Sequence, residues 1–256
     1  DVHEFDLTAL YGIEIHNDWT TVGSSEEFPV ELLNYSGLHL GGTPTVTSDD
    51  TRSTGTTLMG RMIYQLMDRY IVNASYRRDG FSAFGQSHPY GYFPSLALAW
   101  RISEEPFFDF DPISNLKLRG SWGKNGNRSI GTYVALQRMN TVNYIYDVST
   151  VTGLSAENLA NNNLKWETTT QYNTGIDFGL YNNRVSGSVD AYYMSTRDLL
   201  LERSLPNLTG YSNIWSNLGQ VVNRGLEFEL RSTNVLSQDF RWSSAFTFSL
   251  NRNEIK

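Results

Sequence analysis

Apolar side chains recur at every second position along most of this chain, and this period limits the folds open to it. The segment 95–102 is typical, because Leu96, Leu98, Trp100 and Ile102 alternate with small residues and one arginine. Such alternation places successive side chains on opposite faces of an extended strand. No apolar run approaches the roughly 18 residues that a membrane-spanning helix needs. We therefore predict an all-β chain.

The same alternation predicts about ten strands, separated by turn residues. They are expected at 5–15, 58–66, 70–77, 95–102, 116–122, 172–180, 185–193, 217–222, 226–231 and 240–251. The strand at 217–222 is the least regular of these. Helical periodicity is scarce throughout.

The connections between the predicted strands alternate in length, which favours one class of β protein. The long or moderate ones are 16–55, 80–91, 103–114, 124–168 and 204–213, and the short ones 67–69, 181–183 and 232–239. Outer-membrane barrels have short periplasmic turns and longer external loops, with one apolar and one polar side on every strand. The pattern therefore predicts an antiparallel transmembrane β-barrel segment. A soluble β-sandwich also has alternating strands and remains an alternative.

Composition excludes several other classes. The formal net charge of −7 disfavours nucleic acid as a partner, since phosphate binding needs a basic surface. The absence of cysteine rules out disulfides, thiolate nucleophiles and cysteine metal sites. Aromatic residues reach 13% while charged residues reach only 18%, below the roughly 25% of soluble domains.

The barrel interpretation assigns a direction to each face. The residues expected to face lipid are Leu96, Leu98, Trp100, Val185, Val189, Phe246 and Phe248. Those expected to face the lumen are Arg61, Lys117, Arg119, Asp177, Arg184, Asp190, Glu227, Glu229 and Arg231. Opposite charges on neighbouring strands favour inter-strand ion pairs among this second set, although tuning of passage is also open.

No catalytic or metal-binding arrangement is predicted, and no cofactor. His3, His16, His39 and His88 lack metal-ligand spacing. Ser121 to Lys124 matches S-x-x-K without a following K-T-G, so it is not read as an enzyme motif. The acidic residues at 104, 105, 109 and 111 are compatible with calcium, but a solvated turn is preferred.

Several long motifs resemble the SusC/RagA family of TonB-dependent transporters. They include "DRYIVNASYRRDGFSAFG", "YGYFPSLALAWRISEEPFF", "NNNLKWETTTQYNTGIDFGLYNNRVSGSVDAYYMSTRDLLL" and "GYSNIWSNLGQVVNRGLEFEL". Together they cover most of residues 56–256 in the order that the family has.

This resemblance implies a protein of the bacterial outer membrane, surrounded by lipid and lipopolysaccharide. The family has a twenty-two-stranded barrel, an internal plug, a TonB-binding segment and a SusD-like surface lipoprotein as a lid. Residues 1–256 are then expected to form part of the barrel domain, with the plug and the final strands outside them. The implied function is active import of oligosaccharides or peptides. A passive structural barrel or adhesin is the alternative.

Aromatic residues have two expected roles in such a barrel. Tyr70, Trp100, Tyr181 and Trp242 near the short turns are predicted to form an interfacial girdle. Candidate substrate contacts lie in or beside the long connections, and are Trp19, Phe28, Tyr35, Tyr133, Tyr144, Tyr146, Tyr211 and Trp215. Packing among the loops, or contact with the lid protein, is the alternative role for this second set.

Overall fold

The computed structural model describes residues 2–29, 37–84 and 87–256, and its main feature is one antiparallel sheet of nine strands. In spatial order these are β1 (His3–Ser24), β2 (Thr45–Leu66), β3 (Tyr70–Phe81), β4 (Tyr90–Arg101), β5 (Ile113–Asn127), β8 (Glu167–Leu180), β9 (Val185–Arg197), β12 (Gln220–Leu236) and β13 (Arg241–Ile255). Two further hairpins are inserted in connections: β6 (Met139–Tyr146) with β7 (Ser149–Ala156), and β10 (Leu200–Ser204) with β11 (Asn213–Asn217). The all-β, antiparallel prediction is confirmed.

The sheet is a meander in which each strand pairs with the next main strand along the chain. Within the described residues the other two sheets are two-stranded hairpins, so no second large sheet covers either face. Leu98, Phe246 and Phe248 are each more than half exposed. These observations do not support the β-sandwich alternative, which requires apolar rows packed between two sheets. No helix in the described part of the chain is long and apolar enough to cross a membrane.

The pairing register collects most of the large apolar residues of the strands on one side of the sheet. One rung runs through Leu118, Ile176, Val189, Phe228 and Phe248 in successive strands. Because side chains alternate with a period of two, each neighbouring rung of opposite parity presents polar groups on the other side. We call these sides the apolar face and the polar face. The lipid-facing candidates Leu96, Leu98, Trp100, Val185, Val189, Phe246 and Phe248 share the apolar face.

The strands are staggered, which is the geometry of a sheet with tilted strands. A single rung contains Ala74 and Arg252. Ala74 lies four residues after β3 begins at Tyr70, whereas Arg252 lies eleven residues after β13 begins at Arg241. The level of the short turns therefore shifts steadily across the sheet. Closing a sheet into a barrel requires this combination of tilt and stagger.

The connections fall into two sets at opposite ends of the strands. The short ones join β2 to β3, β8 to β9, and β12 to β13, and the moderate 102–112 connection lies at the same end. The long ones, at 25–44, 82–89, 128–166 and 198–219, lie at the other end. The predicted sorting of short and long connections holds except for 102–112, which lies at the short-turn end although it is longer than the connection 82–89.

Two predicted boundaries were wrong. The first connection is shorter than 16–55, because β1 and β2 remain paired from Ile15 opposite Thr54 to Ser24 opposite Thr45. Those strand ends carry mostly polar side chains without regular apolar alternation, and backbone pairing continues through them, so the apolar pattern ended too early. The irregular strand at 217–222 is not separate. It divides between the end of β11 and the start of β12.

The short turns use backbone conformations with positive φ. Met67 and Asp68 have φ of 51° and 56°, and the amide of Arg69 donates to the carbonyl of Leu66 at 3.0 Å. Two central residues with positive φ twist the chain in the sense that a tight hairpin needs. In the β8–β9 turn Asn182 and Asn183 have φ of 57° and 60°. Asparagine tolerates this region better than most residues, which explains the "NN" in the sequence.

A buried carboxylate holds Tyr70 and Trp100, two aromatics predicted to belong to the girdle, at the short-turn end. Glu105, 8% exposed, follows the 3₁₀ turn Ile102–Glu104. Its Oε1 accepts hydrogen bonds from the hydroxyl of Tyr70 and, at 2.9 Å, from the indole nitrogen of Trp100. Arg69 Nη1 lies 3.5 Å from Oε2. The two rings stack with centroids 6.3 Å apart. The motif "WRISEEPFF" therefore fixes the ring orientations at this edge.

These contacts make the turn sensitive to acid. The hydrogen bond from Tyr70, followed by that from Trp100, lowers the pKa of Glu105 below its ordinary value of 4.5. A carboxyl group whose pKa is lowered in the folded state stabilises that state at pH values above its ordinary pKa. This stabilisation is lost as the pH falls through the pKa of the folded state. We expect the hydrogen-exchange protection factors of the 102–112 turn, which are corrected for the intrinsic effect of pH on exchange, to fall below about pH 4.5 in the native protein. In Glu105→Gln the protection should be low at pH 7 and should change little with acid. An acid response unchanged in the variant would contradict this assignment.

Candidate functional site

The polar face carries an ion-pair network that joins three strands. Arg119 on β5 donates from Nε and Nη2 to both carboxylate oxygens of Asp177 on β8, at 2.9 and 2.7 Å. Its Nη2 also reaches Oδ1 of Asp190 on β9, at 2.9 Å. Lys117 Nζ lies 3.7 Å from Asp177. Basic residues on β5 thus pair with acidic residues on β8 and β9, which are inter-strand pairs of the kind expected from the sequence.

The contact between Arg119 and Asp190 depends on a glycine in the strand between them. Gly175 lies between Arg119 and Asp190 on the same rung. A Cβ atom at this position would overlap Oδ1 of Asp190 and lie 3.1 Å from Nη2 of Arg119. Because Gly175 has no side chain, the guanidinium of Arg119 can pass over β8 and reach Asp190 on β9.

The other charged residues assigned to the lumen differ from the predicted ladder. Arg61 donates to the amide oxygen of Asn73 at 3.3 Å, a neutral acceptor. Arg184 lies in the β8–β9 turn and donates to the carbonyls of Thr233 and Asn234, at 2.9 and 2.7 Å.

The charged residues of β12, Glu227, Glu229 and Arg231, also depart from the predicted inter-strand ion-pair ladder. Arg231 pairs with Glu229 two residues away on the same strand rather than across strands. Glu227 lies opposite Asp190 and has no ion pair among the described residues. The inter-strand arrangement is therefore limited to the network around Arg119.

Neutral hydrogen-bonding groups occupy the polar face toward the long connections. Gln171 donates to Asn173 at 3.1 Å, and Asn173 donates to Ser121 at 3.3 Å. The hydroxyls of Ser75 and Ser95 lie 2.7 Å apart. Ser121 thus belongs to an amide and hydroxyl network. Such a surface offers both donors and acceptors to a polar solute.

An aromatic cluster closes the base of the long connections. Its buried members are Phe84, Phe93, Ala135, Leu164 and Trp166. Phe93 precedes Pro94 and lies just beyond the last β4–β5 pair, Ser95 with Gly123, where the two strands part. A Cβ atom at Gly91 or Gly126 would overlap its ring. Trp166 meets that ring edge-on, with centroids 5.5 Å apart.

Asparagine side chains link the long connections to one another. The amide nitrogen of Asn217 donates to the carbonyls of Lys165 and Asp198, at 2.8 and 2.9 Å, and its oxygen accepts from the amide of Lys165 at 2.9 Å. Asn161 donates to the carbonyl of Trp215 at 2.7 Å. Connections 128–166 and 198–219 are therefore joined to each other by half-buried polar contacts as well as by the aromatic cluster.

The candidate substrate contacts fall into different environments. Tyr144 and Tyr146 lie on β6 and are 52% and 70% exposed, and Trp19 on β1 is 72% exposed. Tyr133 is less exposed, and its hydroxyl accepts from the backbone amide of Arg52 at 3.1 Å. Trp215 lies on β11 and packs against the aromatic cluster.

The remaining candidates do not gather at one point. Phe28 and Tyr211 are half-buried in separate connections, and Tyr35 lies outside the described residues. Among these candidates the most exposed rings are therefore Trp19 on β1 and the two tyrosines of the β6–β7 hairpin. Among the described residues no group of three or more acidic or histidine side chains is arranged to hold a metal ion.

Comparison with known proteins decides the family. The family described as "TonB dependent receptor-like, beta-barrel" matches residues 2–256. This chain belongs to that family. The SusC protein of Bacteroides thetaiotaomicron, a TonB-dependent receptor, is 38% identical over 215 residues. TonB-dependent receptor P3 of Formosa agariphila is 36% identical over 256 residues. The resemblance to the SusC/RagA group is thus confirmed.

Solved structures agree with the sequence comparison. The RagAB peptide transporter has a TM-score of 0.82 at 28% identity, over 98% of this chain and 28% of that one. A siderophore receptor from Pseudomonas aeruginosa, at 14% identity and a TM-score of 0.52, shares the fold alone. The chain spans 26% of receptor P3 and 21% of SusC, about a quarter of its relatives.

Sequence reasoning missed the aromatic cluster and the asparagine links. Phe93 and Trp166 carry an apolar signal, but neither lies in a regular alternating segment, and their contact joins residues far apart in the chain. The glycine pair at 91 and 126 is the one sequence signal of a close approach there. Asn161 and Asn217 look like ordinary turn residues in the sequence.

Substitution of Gly175 tests the ion-pair network. Gly175→Ala should displace Arg119 from Asp190 and lower the free energy of unfolding by about 1 kcal/mol, a modest value because these side chains are about one-third exposed. Gly120→Ala is the matched control, since a Cβ atom there has nothing within 4 Å. Urea unfolding in phospholipid vesicles measures both. Equal effects at the two glycines would rule out the proposed role of Gly175 in letting Arg119 reach Asp190.

Proposed function

We propose that this chain is part of the barrel of an outer-membrane TonB-dependent importer. In this proposal the apolar face contacts lipid and the polar face lines the interior. The lumen-facing residues are then Arg61, Lys117, Arg119, Asp177, Arg184, Asp190, Glu227, Glu229 and Arg231. The observation that supports it most directly is the separation of one nine-stranded sheet into an exposed apolar face and a hydrogen-bonded polar face.

The physics of the bilayer supports this orientation. Hydrocarbon offers no hydrogen-bonding partner, so every backbone amide inside it must be paired within the protein. The seven inner strands of the nine-stranded sheet are paired on both sides, and most of their large apolar side chains are exposed rather than covered. In water an exposed apolar surface of this extent favours association or aggregation. In a membrane the same surface is stabilising.

The proposed cargo is an oligosaccharide or a peptide, taken up with a SusD-like surface lipoprotein. Similarity to SusC and to the RagAB peptide transporter supports this choice of class. The exposed β6–β7 hairpin offers Tyr144, Ile145, Tyr146 and Val148 beyond the linked base of the connections. Flat aromatic rings suit both sugar faces and peptide side chains. We propose that this hairpin contacts the cargo or the lipoprotein.

Energy coupling is proposed to come from TonB through a plug domain of the same protein. The ion-pair network around Arg119 would then meet that plug on the interior wall. A passive barrel or adhesin would need neither energy nor a plug. Import that depends on TonB separates the two functions.

Deletion tests the proposed function directly. Cells lacking the gene should fail to accumulate the cargo, and cells with the gene but without TonB should behave in the same way. The screen measures uptake of labelled oligosaccharides and peptides, with binding at the cell surface recorded separately. Uptake that continues without TonB would contradict active import and favour the passive barrel.

Charge insertion tests the orientation of the faces. Leu98→Arg and Phe246→Arg on the apolar face should each cost about 2–4 kcal/mol near the bilayer midplane and reduce assembly. Ser75→Arg and Ser188→Arg on the polar face are the controls. Ser188 lies opposite both Asp177 and Glu229, whereas Ser75 lies opposite Arg61, a like-charge contact that should cost at most about 1 kcal/mol. Folding into phospholipid vesicles, followed by heat-modifiable gel mobility, measures the difference. Similar tolerance at all four positions would refute this orientation.

Aromatic substitution tests the hairpin. Tyr144→Ala with Tyr146→Ala should reduce uptake several-fold while the barrel unfolds at an unchanged urea concentration, because both rings are exposed. Trp215→Ala should instead lower stability, because its ring packs against the aromatic cluster. If the double variant unfolded as readily as Trp215→Ala, its loss of uptake would reflect lost stability, and the proposed contact role of the hairpin would be contradicted.

A further inference from the structure

The apolar face ends at two arginines that lie directly opposite each other. On the β12–β13 hairpin three successive pairs on this face are apolar: Leu230 with Phe246, Phe228 with Phe248, and Leu226 with Leu250. The next pair on the same face is Arg224 with Arg252. The face therefore changes from apolar side chains to two positive charges between one pair and the next pair on that face.

Neither arginine has a counter-charge in the described part of the chain. No ion pair or side-chain hydrogen bond to a carboxylate is formed by Arg224 or Arg252, and both side chains are exposed. Glu254, on the next rung of the same face, pairs instead with Lys256 at 3.8 Å. Like charges directly opposite on neighbouring strands repel and destabilise a sheet. An anion between them would remove this cost.

The position of the pair along the strand indicates which anion is available. Arg224 lies about twelve residues before β12 ends at Leu236, next to a short turn. A strand that rises about 3.4 Å per residue and is tilted by about 45° climbs about 30 Å over that length. This distance is the thickness of the hydrocarbon core. The arginines therefore lie at the level of the head groups on the side of the long connections.

We propose that Arg224 and Arg252 bind a phosphate group of an anionic lipid in the outer leaflet. The planar guanidinium groups match the geometry of phosphate and donate pairs of hydrogen bonds to it. Tyr193 on β9 lies opposite Arg224 and is 41% exposed, so its hydroxyl can supply a further donor. The acyl chains of the same lipid extend over Leu226, Leu250 and Phe248. The inference rests on the proposed function, because it requires the apolar face to be in a membrane.

The continuity of the two surfaces favours a lipid over a free anion. A free phosphate would gain from the arginines alone, whereas a lipid also covers the exposed apolar pairs below them. Binding should therefore require both the phosphate and the acyl chains. This requirement separates the site from non-specific attraction to basic residues.

The experiment uses the full-length protein extracted from outer membranes in mild detergent. Native mass spectrometry measures retention of three probes: lipid A carrying both phosphates, dephosphorylated lipid A, and inorganic phosphate. The test variant is Arg224→Gln with Arg252→Gln. The control is Arg231→Gln, which removes a charge from the polar face of the same strand, where Arg231 pairs with Glu229.

Native protein and the control should retain phosphorylated lipid A, and the double variant should retain at least tenfold less. Dephosphorylated lipid A should bind all three proteins equally weakly, and inorganic phosphate should not displace the lipid. Equal retention by the double variant, or displacement by inorganic phosphate, would overturn the proposal. Heat-modifiable mobility is measured alongside. Failure of all variants and of native protein to insert would count against the proposed function, whereas normal insertion with unchanged retention would count against the lipid site alone.

Discussion

The pairing of backbone amides along one continuous ladder is the interaction on which the rest of this structure depends. It joins nine strands without a second layer, and its register decides where every side chain lies. Because the side-chain period is two, a slip by one residue would exchange the faces of a strand. The ladder thus places charge, hydroxyl groups and apolar rings at fixed heights. No large buried core is needed, and few apolar side chains in the described residues are fully buried.

The two ends of the ladder are stabilised in different ways. At the short-turn end a single carboxylate, Glu105, accepts from Tyr70 and Trp100 and holds their rings parallel. At the other end Phe93 and Trp166 fill the gap where β4 and β5 part, and Asn217 joins two long connections. The first arrangement suits a water–lipid boundary. The second gives the exposed β6–β7 hairpin a fixed base.

The polar face combines charge with neutral donors and acceptors in separate zones. Charge is concentrated where Arg119 bridges Asp177 and Asp190 across Gly175, and amides and hydroxyls lie nearer the long connections. A solute entering from the long connections in the proposed orientation meets the neutral zone first. The charged zone lies deeper, and both Asp177 and Asp190 are paired with Arg119 there.

The sequence by itself determined the all-β class, the two faces and the sorting of the connections, because these follow from a period of two and from turn residues that act locally. Its motifs also identified the family. Only the tertiary structure decided that Arg119 reaches across Gly175, that Glu105 joins two rings, and that Arg224 meets Arg252. It also extended β1 and β2 well beyond their apolar segments. These contacts depend on the register and stagger between strands. The sequence pattern of one strand does not specify how far its neighbour is shifted along it.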